Sequence, residues 1–182
     1  MNKFKIISQE VVTSNNWTKI VKEKFELSRD KQGEYLIVER EPALMIIPVI
    51  KENGIVFTYL VKQYRYPINK EVWQFPMGTL DEGKNLQHHA LEELRQETGL
   101  VAKSLVHQGE YYVDPGLSRQ KCVVYIATDI IEGGKQELEE SEKGMIAKRI
   151  TVEGFDKLVK AEEINDSWAY AGLHFLFEYL KK

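Results

Sequence analysis

Apolar residues come in blocks along this chain, and the spacing inside each block predicts an element. Residues 43–50 form an almost unbroken apolar run of strand length, the pattern of a buried strand. Glu52-Asn53-Gly54 is a hairpin turn signal, and residues 55–61 answer it as a second strand. A short strand over 72–76 stops at Pro76. The period then changes: Leu86, Ala90, Leu91 and Leu94 fall on one helical stripe. Asn85 suits the N-cap and Gly99 the C-terminal stop, so a helix is predicted over 85–98. Strands are predicted near 105–112, 121–128 and 147–152, an acidic loop over 137–142, and helices over 155–160 and 167–180. Trp168, Tyr170, Phe175 and Phe177 read as the core of the last helix, with Trp168 or Tyr170 lining a base pocket as the alternative. Strands and helices mix without a βαβ rhythm, which predicts an α+β chain or a mixed-sheet sandwich. The chain shows no internal repeat and no low-complexity tract.

The first forty residues behave differently. Ile6, Val11 and Val12 are apolar, and residues 17–25 alternate through Trp17, Val21 and Phe25. Lys31-Gln32-Gly33-Glu34 is a turn signal, after which residues 35–38 resume a strand. This predicts a small antiparallel sheet with too little core to stand alone. It must pack on the main domain or on a partner subunit. The expected division is therefore 1–40 and 41–182.

Composition narrows the function classes. Hydrophobic residues make up 43% and charged residues 29%, ordinary for a globular protein. With 25 basic and 28 acidic residues the formal charge is −3, which argues against bulk electrostatic binding to nucleic acid. No apolar stretch reaches the length of a membrane span. The start lacks the apolar block of a signal peptide, so a reducing cytoplasm is the expected location. Cys122, the single cysteine, sits in an apolar run and reads as a core thiol.

Chemistry concentrates at 78–100. Glu93 and Glu97 are four residues apart and share a helix face, where like charges repel by roughly a few tenths of a kcal/mol. A divalent cation between them reverses the sign of that interaction. A solvated acidic face is the plainer alternative. The context favours the cation, because a strand, a proline and a loop bounded by Gly78 and Gly83 precede the helix. That arrangement can expose backbone carbonyls beside the carboxylates. His88 and His89, about 100° apart on the helix, read as surface or packing residues. Asp81 and Glu82 read as turn residues.

The spacing of this segment resembles the Nudix box: Gly, five residues, Glu, seven residues, then Arg-Glu-apolar-any-Glu-Glu-any-Gly-apolar. Gly78 matches the first glycine, and Glu93, Leu94, Glu97, Gly99 and Leu100 match later members. The lead-in Trp73-Gln74-Phe75-Pro76-Met77-Gly78 resembles the ADP-ribose and nucleotide-sugar branch, as do Gln63-Tyr64-Arg65 upstream and Pro115-Gly116 downstream. The likeness spans residues 43–182. It implies a Nudix-type α/β/α sandwich with a mixed sheet, preceded by a small N-terminal antiparallel sheet that joins two subunits. The implied reaction is metal-dependent hydrolysis of the diphosphate linkage of ADP-ribose or a nucleotide sugar, giving a nucleoside monophosphate and a sugar phosphate.

The resemblance also implies roles. Glu93 and Glu97 are the principal ligands of magnesium, with manganese as the alternative. The Met77 carbonyl joins them, and Glu140 or Glu142 serves as ligand or base, Glu142 favoured as ligand. Arg65 and Gln63 fall to substrate binding, Arg65 because its planar fork matches phosphate oxygens; an ordinary surface ion pair is its alternative. Three positions depart from the family pattern: Lys84 replaces the first Glu, Glu92 the Arg, and Gln96 the middle Glu. Lys84 and Glu92 are expected to form one bridge with exchanged signs. Gln96 removes an anionic ligand, although its amide oxygen can still coordinate. These departures keep a second reading open, a nucleotide-binding or regulatory module with weakened or lost catalysis.

Overall fold

The computed structural model describes residues 4–80, 83 and 85–182. The chain forms two compact units, residues 1–42 with 111–122, and residues 43–110 with 123–182.

In the first unit, β1 (Lys5–Ser14), β2 (Lys19–Ser28) and β3 (Lys31–Glu39) form an antiparallel sheet in the order β1-β2-β3. The turn between β2 and β3 falls at Arg29 and Asp30, so the expected turn at 31–34 is corrected. Gly33 lies inside β3 opposite Phe25. A Cβ on Gly33 would stand 2.7 Å from the Phe25 ring, so the glycine seats an aromatic ring instead of bending the chain. The 111–122 segment is tied to this sheet. Val38 N–H donates to the Leu117 carbonyl at 2.9 Å, and Tyr35 Oη to the Gly116 carbonyl at 2.8 Å. Arg119 donates to both oxygens of buried Glu23 at 2.8 Å and to Glu39 at 2.8 Å, so that buried carboxylate is paired. Cys122 is buried, and that burial pushes its thiol up to about 12, as suits a core residue.

The second unit holds the other elements. β4 (Ala43–Pro48), β8 (Met77–Thr79), β9 (Val101–Tyr112) and β10 (Lys121–Ile131) make one sheet in the order β8-β4-β10-β9. β5 (Ile50–Glu52), β6 (Ile55–Arg65) and β11 (Ile146–Thr151) make another, ordered β11-β6-β5, with β7 (Lys70–Gln74) also paired to β6. The β5–β6 turn carries Asn53 at φ 49° and Gly54 at φ 77°. Successive positive φ values match the twist of a tight hairpin, and asparagine and glycine tolerate them best.

β4 is buried along its whole length because both of its faces are covered. Leu44 and Ile46 pack with Ala90 and Leu94 of α1 (Leu86–Thr98), together with Leu100, Tyr125 and Ala127. On the other face, Met45 meets Gly172 of α3 (Ser167–Leu180). Phe75 also packs there, with its ring centroid 5.9 Å from Phe155 of α2 (Val152–Lys160). This is the mixed α+β sandwich expected from the element pattern. The reading of α3 as an aromatic core is corrected for Tyr170 and Phe177, which are 46% and 43% exposed, whereas Trp168 and Phe175 are half-buried and the fully buried residues are Ala169, Gly172 and Leu176. The helix approaches through its small residues because Phe75 and Met45 already fill the space. Among the described residues no helix is long and apolar enough to cross a membrane.

A Cβ at Gly172 would stand 2.6 Å from Phe75 Cε2 and 2.8 Å from Met45 Sδ. Gly172→Ala is expected to destabilise the protein by about 1–3 kcal/mol despite its better helix propensity. Urea unfolding reads this directly, and an unchanged midpoint contradicts the close packing.

Candidate functional site

The site begins where β7 gives way to β8. Pro76 accepts from Ile46 N–H at 2.9 Å, and β8 then pairs with β4, Met77 opposite Met45 and Gly78 opposite Leu44. This carries the Met77–Thr79 backbone past the side of α1. Asn85 caps that helix, its Oδ1 accepting from His88 N–H at 3.0 Å, and Gly99 ends it at φ 73°. The apolar stripe of Ala90 and Leu94 faces the sheet. Glu93 and Glu97, one turn apart, are thereby brought to the β8 backbone.

Glu97 is only 3% exposed and its Oε2 accepts from Met77 N–H at 2.9 Å. Burial holds its carboxyl well above the ordinary carboxylate value, and the charges of Glu142 and Glu93 push the same way. The Met77 hydrogen bond and the Arg65 charge oppose that rise. Glu93 lies directly on Gly78, where a Cβ would stand 2.5 Å from its Cγ. A side chain at 78 would displace the Glu93 carboxylate from its place against β8.

The acidic segment is docked onto the end of α1. Arg95 carbonyl accepts from Gly99 N–H at 2.8 Å, Gln96 carbonyl from Glu137 N–H at 2.8 Å, and Glu97 carbonyl from Gln136 Nε2 at 2.6 Å. Three carbonyls that a helix end leaves open are thus satisfied. Arg95 pairs with the Glu137 carboxylate. Gly134 meets Gly99 backbone to backbone, and a Cβ on either would overlap the other. From this anchorage the 3₁₀ turn Glu140–Glu142 separates two candidates. Glu142 is half-buried, accepts from Glu139 N–H at 3.1 Å and acts electrostatically on Glu97. Glu140 is 85% exposed in its side chain and pairs with Lys143.

Arg65 lies at the end of β6, where Gln74 Oε1 accepts from its Nε at 3.0 Å and its Nη2 at 2.6 Å. Gln74 Nε2 in turn donates to Asp166 Oδ1 at 3.2 Å, the carboxylate that caps α3. Arg65 is thus tied into a side-chain network with Gln74 and Asp166. Gln63, two residues earlier in β6, is half-buried and pairs with Val72. Gln96 is half-buried one residue before Glu97. Glu92 contacts His88 Nδ1 at 3.4 Å. Lys84, the other member of the expected bridge, lies outside the described residues, as do Asp81 and Glu82.

His89 is the residue that sequence reasoning missed. Its ring is buried, with Nε2 2.8 Å from the Thr79 carbonyl and 3.2 Å from Glu93 Oε1. The available signal was its position four residues before Glu93, one turn back on the same face.

The donors at the site are oxygens, the class that magnesium prefers: the Glu93 and Glu97 carboxylates beside the Met77–Thr79 backbone. Among the described residues no three His, Cys, Asp or Glu side chains are close enough together to hold a metal ion, so Glu142 acts on the pair through its charge.

A NUDIX domain family model matches residues 39–170. The chain is 30% identical to an ADP-ribose pyrophosphatase of Bacillus subtilis over 173 residues, covering 94% of this chain and 91% of that one. It is 27% identical to an ADP-sugar pyrophosphatase of Mus musculus over 136 residues, covering 70% and 62%. Its fold is similar to the crystal structure of an ADP compounds hydrolase, with a TM-score of 0.83 at 20% identity over 100% of this chain and 96% of that one.

Without metal, the proton held by folded Glu97 is released by the unfolded chain above the ordinary value of 4.5. The associated stability is fully present below 4.5 and is lost as pH rises through the folded-state value. Glu97→Gln keeps an acceptor for Met77 N–H without the charge. In EDTA at neutral pH it is expected to be more stable than the parent. Thermal unfolding followed by circular dichroism should show the two proteins converging as pH falls toward 4.5. A less stable variant at neutral pH contradicts the account.

Proposed function

This chain belongs to the NUDIX domain family, and from that membership we propose that it hydrolyses the diphosphate linkage of ADP-ribose or a related ADP-sugar, releasing a nucleoside monophosphate and a sugar phosphate. The observation that carries the proposal is the convergence on Glu97: a buried carboxylate bound to the Met77 backbone, with Glu93 one turn before it and Glu142 acting on it across space. The curated relatives named for ADP-ribose and ADP-sugar pyrophosphatase activity support the substrate class.

Nudix hydrolases work with a divalent metal. In this chain Glu93, Glu97 and the Met77 carbonyl would hold it, and we infer magnesium with manganese as substitute. When bound, such an ion neutralises charge on the diphosphate and activates water. The protein's own contributions follow from its geometry. The Met77 N–H fixes one oxygen of Glu97, so the carboxylate is oriented before substrate arrives. Gln74 holds the Arg65 guanidinium, a planar fork suited to phosphate oxygens, and Gln63 lies on the same strand. Glu142 takes the proton of the attacking water; its place on an anchored turn beside Glu97 favours it over Glu140. Gln96 carries no charge, so the site has fewer anionic donors than the family pattern and a correspondingly weaker hold on the ion. With Lys84 and Glu92 it also motivates the competing reading, a nucleotide-binding module without turnover.

We also infer that residues 1–40 join two copies of the chain. Every residue of β1 is exposed, and Ile6, Ile7, Val11 and Val12 are each about half accessible. Burial in a partner's surface would remove that apolar area from water.

A hydrolysis assay over a panel of nucleotide sugars, with products identified and with magnesium, manganese or EDTA present, separates the readings. Turnover is expected with either metal and not in EDTA; binding without turnover supports the competing module. Glu97→Gln should lose nearly all turnover, and unchanged rates at saturating magnesium would defeat the assignment. Glu142→Gln is expected to lower kcat about 100-fold while Glu140→Gln stays within about twofold. Light scattering at micromolar concentration should give a dimer mass, and a monomer contradicts the pairing.

A further inference from the structure

We propose that Asp166 and Gln74 act as a positioning relay for Arg65, so that the N-cap of α3 governs how tightly the diphosphate is held; this rests on the reading of Arg65 as a phosphate contact. Gln74 is 4% exposed and ends β7 between the buried residues Trp73 and Phe75. A buried amide must find partners, and this one spans two further elements. Its Oε1 accepts from Arg65 Nε at 3.0 Å and Nη2 at 2.6 Å, and its Nε2 donates to Asp166 Oδ1 at 3.2 Å. A guanidinium only donates and an ionised carboxylate only accepts, so the amide oxygen must face Arg65 and its nitrogen Asp166.

The consequence falls on Arg65. Two bonds along one edge fix the plane of its guanidinium, whatever its other nitrogens meet. In the β6–β7 ladder Arg65 faces Lys70, whereas Gln74 faces Val61, so the arginine side chain runs back along the ladder to reach the amide. A long side chain held in this way has already lost the rotamer freedom that binding would otherwise remove. Asp166 holds Gln74 in turn. The same Oδ1 accepts from Trp168 N–H at 2.9 Å and Ala169 N–H at 3.1 Å as the N-cap of α3. That helix is seated by Gly172 against Phe75 and Met45, so the anchor belongs to the packed core.

The test separates this role from packing. Affinity for ADP-ribose is read as KM at saturating magnesium, or as Kd by calorimetry if the parent binds without turnover, with thermal unfolding run alongside. Gln74→Met removes the amide at similar volume. It is expected to raise KM about 10–100-fold with kcat within about threefold of the parent. Asp166→Ser keeps a good N-cap, but its hydroxyl is one bond shorter. It should leave the Tm near the parent value and raise KM about three- to tenfold. Asp166→Asn, with an acceptor of the same reach, should recover most of that loss. Arg65→Met should raise KM by itself, and adding Gln74→Met to it should change KM by less than about twofold. Asp166→Ser enters the same cycle if Gln74→Met does not fold. Parental KM in Gln74→Met, Asp166→Ser or Arg65→Met, or a fully additive double variant, overturns the relay while leaving the hydrolase reading intact. A parent protein that neither hydrolyses nor binds ADP-ribose overturns both.

Discussion

The Glu97 carboxylate and the Met77 N–H hold the candidate site together. A carboxylate with 3% of its residue surface exposed is costly in the folded chain, and the hydrogen bond from Met77 N–H returns only part of that cost. The remainder appears as a proton held well above the ordinary value. Such a group is a poor contributor to stability and a good ligand in waiting, since a divalent cation supplies the charge the interior lacks. The contact also ties α1 to β8, so that the helix carrying the carboxylates and the backbone passing beside them move together.

Other features keep that contact in place. The buried stripe of α1 fixes the helix against β4, and β4 is itself covered on its second face by Phe75 and the small residues of α3. Gly78 leaves room for Glu93. Gln136 and Glu137 satisfy carbonyls at the end of α1 and bring the following turn to the helix. Stability and positioning share the same hydrogen bonds there: the donors that complete a helix end also carry Glu142 toward Glu97. The Arg65–Gln74–Asp166 chain links the phosphate-matching guanidinium to the N-cap of α3 in a similar way.

Much of the fold was legible because local chemistry dictated it. The Asn53-Gly54 turn, the Asn85 cap and the Gly99 stop each depend on a neighbour a few residues away, and each appears as expected. The spacing of Glu93 and Glu97 follows from the helical period alone, so their shared face was readable before any coordinate. Gly33 misled because a glycine in a polar run looks like a turn, whereas the Phe25 ring across the strand pair explains it. The α3 aromatics misled because an aromatic cluster looks like a core, whereas Phe75 and Met45 already occupied the space where Gly172 had to fit.

The feature at 78–100 was therefore specified locally in its spacing and globally in its chemistry. The periodicity of one helix placed Glu93 and Glu97 together. Contacts between residues far apart in the chain buried Glu97 and set Met77 N–H against it. They also brought the charge of Glu142 to act on it, and set His89 against Thr79 and Glu93. Local propensity acts over a turn or a cap. Burial, and with it the charge state of a carboxylate, depends on everything packed around it.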